Sequence, residues 1–409
     1  MNKGLFILLL ILLYLVSPLC CLIVCVRFYR SAISQLFMVL CAFYFGYYCG
    51  FVADLMKHYY NFMYYYPGHD VTDIITRPEI YFIGNDFYHV GFKLLLSRYT
   101  ESRQVFGGAA CAIYTALFIC FMRQLWHYIE GKLPIVCMML MICVIVVIEF
   151  YWYQGLRFYT GVFFFAAFYM RYVRTKKLYN LIVCLLCPVF HFSLMALSGA
   201  LLLNIALNYG HFSIRYVLLA LSLLVRSMNI DIVPFINTHL LNLGEMSIAY
   251  ADMTIRSDVL EHMEMLRSTG NVVYMWRDLI MIGFGVLMSS LIYLRNKQLE
   301  HKFTALFYMF LTLFTIANFG YGDMTFYERF LKVSSLFLYA YLFLTITCNY
   351  AVFKKSFSLL LMLVVFPTVL GVITPLVSQR AYIFHSELFF GNMFMDWDGN
   401  EMEGFEYQW

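Results

Sequence analysis

Six ionisable residues within or beside long apolar stretches of the chain are candidates for chemistry. They are Arg157, His191, Arg226, Asp323, Glu328 and Arg329. A charge held in hydrocarbon costs about 2.5–3.5 kcal/mol on insertion scales, so each of these residues is a candidate for function. Arginine grips phosphate oxygens two at a time, and histidine exchanges protons near neutral pH. Together these residue types favour a site that binds phosphate and transfers a proton.

Each of these residues also has a purely structural interpretation. Arg157 follows the aromatic run FYWY and can extend its guanidinium to the membrane surface. Glu328 and Arg329 can form a structural ion pair, and His191 can be a satisfied core residue next to a helix break at Pro188. The sequence leaves both interpretations open.

Tyrosines and carboxylates cluster in the segment 54–104. The candidates there are Tyr65, Tyr66, Asp70, Asp73 and Asp86. Tyrosine is common at membrane interfaces, which is the general interpretation of such a segment. Aromatic faces beside carboxylates also suit a sugar, whose ring stacks while its hydroxyl groups need directional partners.

Several common catalytic motifs are absent from the sequence. There is no HExxH, no Walker loop, no GxSxG and no His/Asp cluster with metal-ligand spacing. We therefore expect neither a metal nor a cofactor. The 12 cysteines lie in or beside apolar blocks, which predicts packing residues and not a disulfide framework.

The composition places these residues in a membrane. The 409 residues are 63% hydrophobic, 20% aromatic and only 13% charged, whereas a soluble domain carries roughly 25% charge. The apolar blocks are about 17–22 residues long, the length that crosses ~30 Å of hydrocarbon as a helix. This pattern excludes a soluble enzyme, a disordered chain and a β-barrel.

We predict an all-α, polytopic bundle of about 12 membrane spans. The apolar blocks are 5–26, 36–53, 105–122, 133–150, 158–170, 178–191, 192–208, 216–233, 279–294, 303–319, 330–348 and 356–376. The segment 178–208 is too short for two full spans of about 20 residues, so it either crosses twice in a broken form or is re-entrant.

The basic residues predict the orientation of the spans. If 178–208 crosses twice, six short loops share one side and hold half of the 28 Lys and Arg but only two of the 24 acids. The positive-inside rule makes this the cytoplasmic side. The chain then forms one integral membrane domain, 1–409, with extracytoplasmic segments 54–104, 226–278 and 377–409. Within the second of these, 255–266 has the spacing of an amphipathic surface helix.

Short motifs recur along the chain in an order typical of one protein family. They are Gly68-His69-Asp70, the segment from Asn85 to Phe106, Gln154-Gly155-Leu156-Arg157, a basic inner loop, His191-Phe192-Ser193 and Glu328-Arg329. In this the chain resembles the EpsG-like membrane proteins of exopolysaccharide synthesis, distant relatives of the Wzy polymerases. The resemblance covers most of the chain.

The resemblance implies a GT-C-like glycosyltransferase of the bacterial inner membrane, with its active site outside the cytoplasm. Such an enzyme joins repeat units linked to undecaprenyl diphosphate, which serve as donor and acceptor, in exopolysaccharide, capsule or O-antigen synthesis. It can work beside a chain-length regulator and has no role for nucleic acid. Arg157, Arg329 and Arg226 would hold the diphosphate, and His191 or Asp70 would be the base. The glycan would contact Tyr65, Tyr66, Asp73, Asp86, Asp323 and Glu328.

Two other functions fit a membrane bundle of this size. A flippase for lipid-linked oligosaccharide would have charges along a path through the midplane and repeat symmetry between its halves. This chain gathers its charges near one predicted face and has no visible repeat. A membrane O-acyltransferase that modifies glycans would also use a histidine.

Overall fold

The computed structural model describes residues 3–50, 53–76, 86–129, 131, 133–148, 150–207, 213–228, 303–321 and 324–349, together with positions 283, 286, 287 and 290. Within these ranges the chain is helical and has no β-strand, which confirms the predicted all-α class. The predicted amphipathic helix at 255–266, the tail 377–409, Asp323 and the block 356–376 lie outside the described residues.

Fourteen α-helices are described here. In chain order they are α1 (Lys3–Val16), α2 (Pro18–Arg27), α3 (Ala32–Tyr48), α4 (Ala53–Tyr65), α5 (Val71–Thr76), α6 (Phe87–Ser97), α7 (Arg103–Trp126), α8 (Ile135–Val146), α9 (Phe158–Thr175), α10 (Tyr179–Cys184), α11 (Met195–Leu207), α12 (Ser213–Ser227), α13 (Thr304–Phe319) and α14 (Met324–Cys348). The apolar blocks that fall on described residues are mainly α-helical, but in the block 178–191 the α-helix ends at Cys184 and turns follow as far as His191. The first block differs in detail, because Ser17 caps a second helix that begins at Pro18.

Two helices in the described ranges are long and apolar enough to cross a membrane. They are Arg103–Trp126, with a mean hydropathy of 2.0, and Phe326–Cys348, with a mean hydropathy of 1.6. At 1.5 Å per residue, 20 residues span about 30 Å, so both are long enough to reach across the hydrocarbon. The remaining apolar helices of this part of the chain are shorter than 18 residues.

The chain divides into two compact units. The first consists of Met1–His127 and Phe150–Met195, with Ile373–Trp409 assigned to it, and the second of Tyr128–Glu149 and Ala196–Val372. In the first unit, α3 packs along α7 and α7 packs along α9. The first contact is close at Gly46, where an added Cβ would lie 2.5 Å from the Gly107 carbonyl oxygen. Such backbone approach between small residues is typical of helices that associate in membranes.

In the second unit α13 packs against both α12 and α14, and α14 also packs against α8. The core between α13 and α14 is aromatic, with the ring of Phe307 stacked 5.2 Å from that of Tyr341. Aromatic residues fill such a core with large buried areas and few conformers.

Candidate functional site

The site is built around Arg157, which a sharp turn directs into the first unit. A short 3-10 helix, Phe150–Gly155, precedes it, and the Gln154 side-chain amide donates to the Gly50 carbonyl oxygen at 3.1 Å. Leu156 then adopts φ +48°, a left-handed conformation that bulky residues rarely take. Because Leu156 is buried, contacts with the residues around it hold it in this unfavourable conformation. The turn fixes the position of Arg157 just before α9.

Asp86 receives the Arg157 side chain. It precedes α6, is 2% exposed and forms an ion pair through Oδ2 with Arg157 Nη1. Its other oxygen, Oδ1, accepts a hydrogen bond from the Phe192 backbone amide at 2.7 Å. One carboxylate therefore joins three segments that lie far apart in the sequence.

The third segment is a run of tight turns between α10 and α11. Pro188 lies in a 3-10 turn, Cys187–Val189, and His191 takes an extended conformation before a second one, Phe192–Leu194. Gly161 of α9 allows the close approach, because a Cβ there would lie 2.7 Å from Phe190 Cβ. The Phe190 ring also packs 4.7 Å from that of Tyr88 on α6. These contacts position the Phe192 amide to donate its hydrogen bond to Asp86.

His191 is buried, and its neighbours limit the states of its ring. Nδ1 accepts from the Ser193 backbone amide at 3.2 Å and lies 2.8 Å from Ser193 Oγ. The Phe158 ring packs edge-on at 5.8 Å. In one neutral tautomer Nδ1 accepts from Ser193 and Nε2 carries the proton. In the other, Nδ1–H donates to Ser193 Oγ, the hydrogen bond from the Ser193 amide is lost, and Nε2 can accept a proton.

Burial opposes the charged form of Asp86 in the ion pair. Burial raises the pKa of Asp86 to about 6, although the charge of Arg157 and the Phe192 amide act in the opposite direction. Arg157 is 23% exposed, and its Nε atom is buried with no hydrogen-bond partner in the described ranges. The guanidinium therefore retains a hydrogen-bond donor for a further acceptor.

The structure adds polar residues that the sequence reasoning missed. Lys93 on α6 is 1% exposed and donates from Nζ to Asn61 Oδ1 at 2.6 Å. The ammonium also lies 5.5 Å from the centre of the Tyr66 ring. His89, one turn before Lys93, is buried with its ring 5.9 Å from that of His58 on α4. The spacing of Asp86, His89 and Lys93 places all three on one helix face, and this is the signal in the sequence.

Burial changes the titration of this cluster. It lowers the pKa of Lys93 to about 7, and the charge of Arg157 adds to the effect. It also lowers the pKa of His89 to about 2, with further contributions from Lys93 and Arg157. His89 is therefore neutral at physiological pH, whereas Lys93 is partly protonated.

The lowered pKa of Lys93 predicts a pH-dependent stability. Between pH about 7 and its ordinary value of 10.5, the unfolded chain holds a proton on Lys93 that the folded chain has lost. The free energy of unfolding should therefore rise with pH, by up to about 1.4 kcal/mol per unit from this residue. We expect the melting temperature in detergent to rise more between pH 7 and 9 in the wild type than in Lys93→Met. Equal slopes would show that Lys93 keeps its charge when folded.

The other predicted residues of the segment 54–104 have surroundings different from those of Asp86. Asp70 is exposed. Its Oδ1 accepts hydrogen bonds from the backbone amides of Thr72 at 2.7 Å and Asp73 at 3.1 Å. In return, Asp73 Oδ2 accepts from the Asp70 amide at 2.8 Å. This reciprocal arrangement resembles a capping box at α5. The hydrogen bonds from the Asp73 and Thr72 amides lower the pKa of Asp70, which disfavours it as a base. Tyr65 is exposed, but Tyr66 is fully buried and cannot offer its ring to a glycan.

The second unit holds the remaining predicted residues that are described. Arg226 is buried between the rings of Tyr321 and Tyr327, 4.5 and 4.6 Å from their centres. It donates to Tyr327 Oη at 2.7 Å and to Asn318 Oδ1 at 3.1 Å. These contacts join α12 to α13 and α14. On α14, Glu328 is exposed and Arg329 is half-buried.

Two further features of the described residues bear on the site. Three or more His, Cys, Asp or Glu side chains do not come together as a metal site in this part of the chain. A pocket of about 290 Å³ lies elsewhere in the first unit, lined by Arg30, Gln35, Arg123, Trp126 and His127. Its arginines belong to loops that we predicted on the cytoplasmic side, and it contains none of the predicted site residues.

Comparison with known proteins adds no relative from which a role could be transferred. No family model matches the chain, and neither the comparison with curated proteins nor that with solved structures gives a match. The functional argument therefore depends on the chemistry of Asp86, Arg157 and His191.

Proposed function

We propose that the chain is a polysaccharide polymerase that joins repeat units linked to undecaprenyl diphosphate. The observation that carries the proposal is the meeting of Arg157 with Asp86 and, through the Phe192 amide, with the turn that bears His191. A guanidinium beside a histidine suits a reaction that releases a phosphate group and removes a proton.

The reaction is the transfer of a glycan from a lipid diphosphate to a hydroxyl group. The acceptor oxygen bonds to the anomeric carbon of the donor, and the bond between that carbon and the diphosphate oxygen breaks. The diphosphate leaves with the electron pair, and the acceptor proton passes to a base. Contacts from Arg157 that strengthen as charge develops on the leaving group lower the barrier.

His191 is the better of the two predicted bases. In the tautomer that donates from Nδ1 to Ser193 Oγ, Nε2 can take the acceptor proton and Ser193 then stabilises the charged ring. Asp70 caps α5 and has a lowered pKa, so it binds a proton weakly. We propose that Asp86 holds Arg157 in place between turnovers, a role different from the glycan contact expected from the sequence.

The proposal includes a complete membrane bundle. We propose about 12 spans of GT-C type, several passes through a bacterial inner membrane, and a site that faces outside the cytoplasm. The two long apolar helices and the charge bias of the loops support this arrangement. The sequence also assigned Arg226 and Arg329 to the diphosphate, but both belong to the second unit, where Arg226 donates to Asn318 and Tyr327.

A reconstitution assay tests the function. Purified protein in lipid nanodiscs, given repeat units linked to undecaprenyl diphosphate, should convert them into a ladder of longer chains on a gel. Arg157→Gln should reduce product by about 10–150-fold, the loss expected from one charge-assisted contact of roughly 1.5–3 kcal/mol. Arg171→Gln is the matched control, because Arg171 is exposed and predicted on the opposite face.

The alternative functions give different results in this system. A flippase would move labelled lipid-linked units between leaflets of a vesicle without lengthening them. An acyltransferase would leave chain length unchanged and add acyl groups from an acyl donor. Either outcome, with no ladder formed by the wild type, would overturn the polymerase proposal.

A further inference from the structure

Lys93 is the least expected charged residue in the first unit. Its side chain is 1% exposed, yet no ion pair of Lys93 with another described residue is seen. Its neighbours are the Asn61 amide oxygen and the face of Tyr66. Neither carries a full negative charge, so a protonated Lys93 has no countercharge among the described residues.

The cluster around Lys93 is rich in basic groups. His58 and Lys57 come from α4, His89 from α6 itself, Asp86 from the position just before α6, and Arg157 from the turn before α9. The charges of Lys93 and Arg157 both lower the pKa of His89, and that of Arg157 lowers the pKa of Lys93, so these groups lie within electrostatic range of one another. With Asp86 already bound to Arg157, the cluster attracts an anion.

We propose that Lys93 and Asn61 form a second anion-binding subsite beside Arg157, which takes one phosphate of a diphosphate ester while Arg157 takes the other. The inference rests on the proposed function for the identity of the ligand. Arginine offers a planar fork and lysine a compact charge, so the pair suits two adjacent phosphates. The anion supplies the countercharge that Lys93 lacks, and Asn61 orients the ammonium through its hydrogen bond.

Such a subsite gives a role to a buried lysine that has no acidic partner among the described residues. Burying a charge without a partner is unfavourable, and in the ligand-free protein Lys93 relieves this by losing its proton part of the time. A permanent carboxylate partner would remove that strain but would also compete with the ligand. The amide of Asn61 hydrogen-bonds to the ammonium without neutralising it.

Binding of defined diphosphates tests the subsite. Farnesyl diphosphate is titrated into the full chain in detergent, and the dissociation constant is measured by microscale thermophoresis. We expect Lys93→Met to weaken binding by about 10- to 100-fold, as loss of a charge-assisted contact predicts. Lys177→Met, at an exposed lysine in the loop after α9, should change it by less than about twofold.

A second variant covers the case in which Lys93→Met does not fold. Asn61→Asp is nearly isosteric, keeps the 2.6 Å hydrogen bond and places a carboxylate against the ammonium. It should raise or maintain the melting temperature and weaken farnesyl diphosphate binding by about 10-fold or more, because the carboxylate competes with phosphate. Unchanged affinity in Asn61→Asp would overturn the subsite.

The outcomes separate the subsite from the proposed function. If Arg157→Gln weakens binding and Lys93→Met does not, the subsite is wrong and the function stands. If the wild type does not bind farnesyl diphosphate, both are wrong. If it binds inorganic pyrophosphate in a Lys93-dependent way but not the prenyl ester, the subsite stands and the lipid donor is wrong. If phosphatidylglycerol vesicles displace the ester equally well, diphosphate is the wrong ligand class.

Discussion

Replacement of Asp86 by leucine should destabilise the protein by about 2–4 kcal/mol. The change leaves the Phe192 amide without its acceptor and Arg157 without its counter-ion. Breaking a fully buried pair costs about 3–5 kcal/mol, and the partial exposure of Arg157 reduces that figure. Thermal or denaturant unfolding in detergent measures the loss, and Asp54→Ala, at an exposed acid on α4, is the matched control.

The double variant Asp86→Leu with Arg157→Leu then separates stability from activity. Its stability should recover the part of the loss that comes from the unpaired guanidinium, because the raised pKa of Asp86 indicates that the pair gives the fold little net benefit, whereas the Phe192 amide still lacks its acceptor. Its polymerase activity should remain lost, because no guanidinium remains to hold the diphosphate. An active double variant would overturn the assignment of Arg157 to substrate, and an Asp86→Leu variant of full stability would show that the ion pair is not formed.

His191→Asn should separate the role of His191 in capping a turn from its role as a base. It should preserve stability and lose activity. Asparagine can accept from the Ser193 amide in place of Nδ1, and it is a favoured residue before a helical turn. It removes Nε2, the atom that our mechanism uses as base. We expect a melting temperature close to that of the wild type and a turnover lower by about 100-fold or more in the chain-extension assay. Normal turnover would show that His191 only caps the turn.

Ser193→Ala adds a finer test of the tautomer. It keeps the backbone amide, which donates to Nδ1 in one tautomer, and removes the hydroxyl, which accepts from Nδ1–H in the other. The neutral ring should then favour the form with the proton on Nε2, which cannot act as a base. Turnover should fall by about 10-fold, equivalent to ~1.4 kcal/mol, with little change in stability. Full activity in Ser193→Ala would favour Nε2–H as a donor to substrate.

Local sequence patterns predicted the helices of the described ranges well, because hydrophobic blocks and helix-capping residues act over short distances. The break at Ser17 and Pro18 was missed, because the block 5–26 was expected to form one span, and so was the 3-10 helix before Arg157. Arg157 and His191 were identified because a charge in an apolar setting is unusual in any context. These signals need no knowledge of tertiary contacts.

The partners in the site could not be predicted in the same way. Asp86 looked like one acid among several in a polar segment, and its pairing with Arg157 depends on how α6 meets the turn before α9. Lys93 was not identified from the sequence, because its burial depends on α4, which contributes Asn61 and is followed by Tyr66. Asp70 had the better motif, but its carboxylate caps α5, which is a purely local use.

The unequal exposure of the cluster has a kinetic consequence. Arg157 presents 23% of its side chain to the surface, whereas Lys93 and Asp86 are at 1% and 2%. A ligand that diffuses to the protein therefore meets the guanidinium first and reaches the ammonium only after side chains around it rearrange. Association should then proceed in two steps, a fast encounter whose rate grows with ligand concentration and a slower isomerisation that does not. The apparent affinity is reduced by the small fraction of time that the cluster is open.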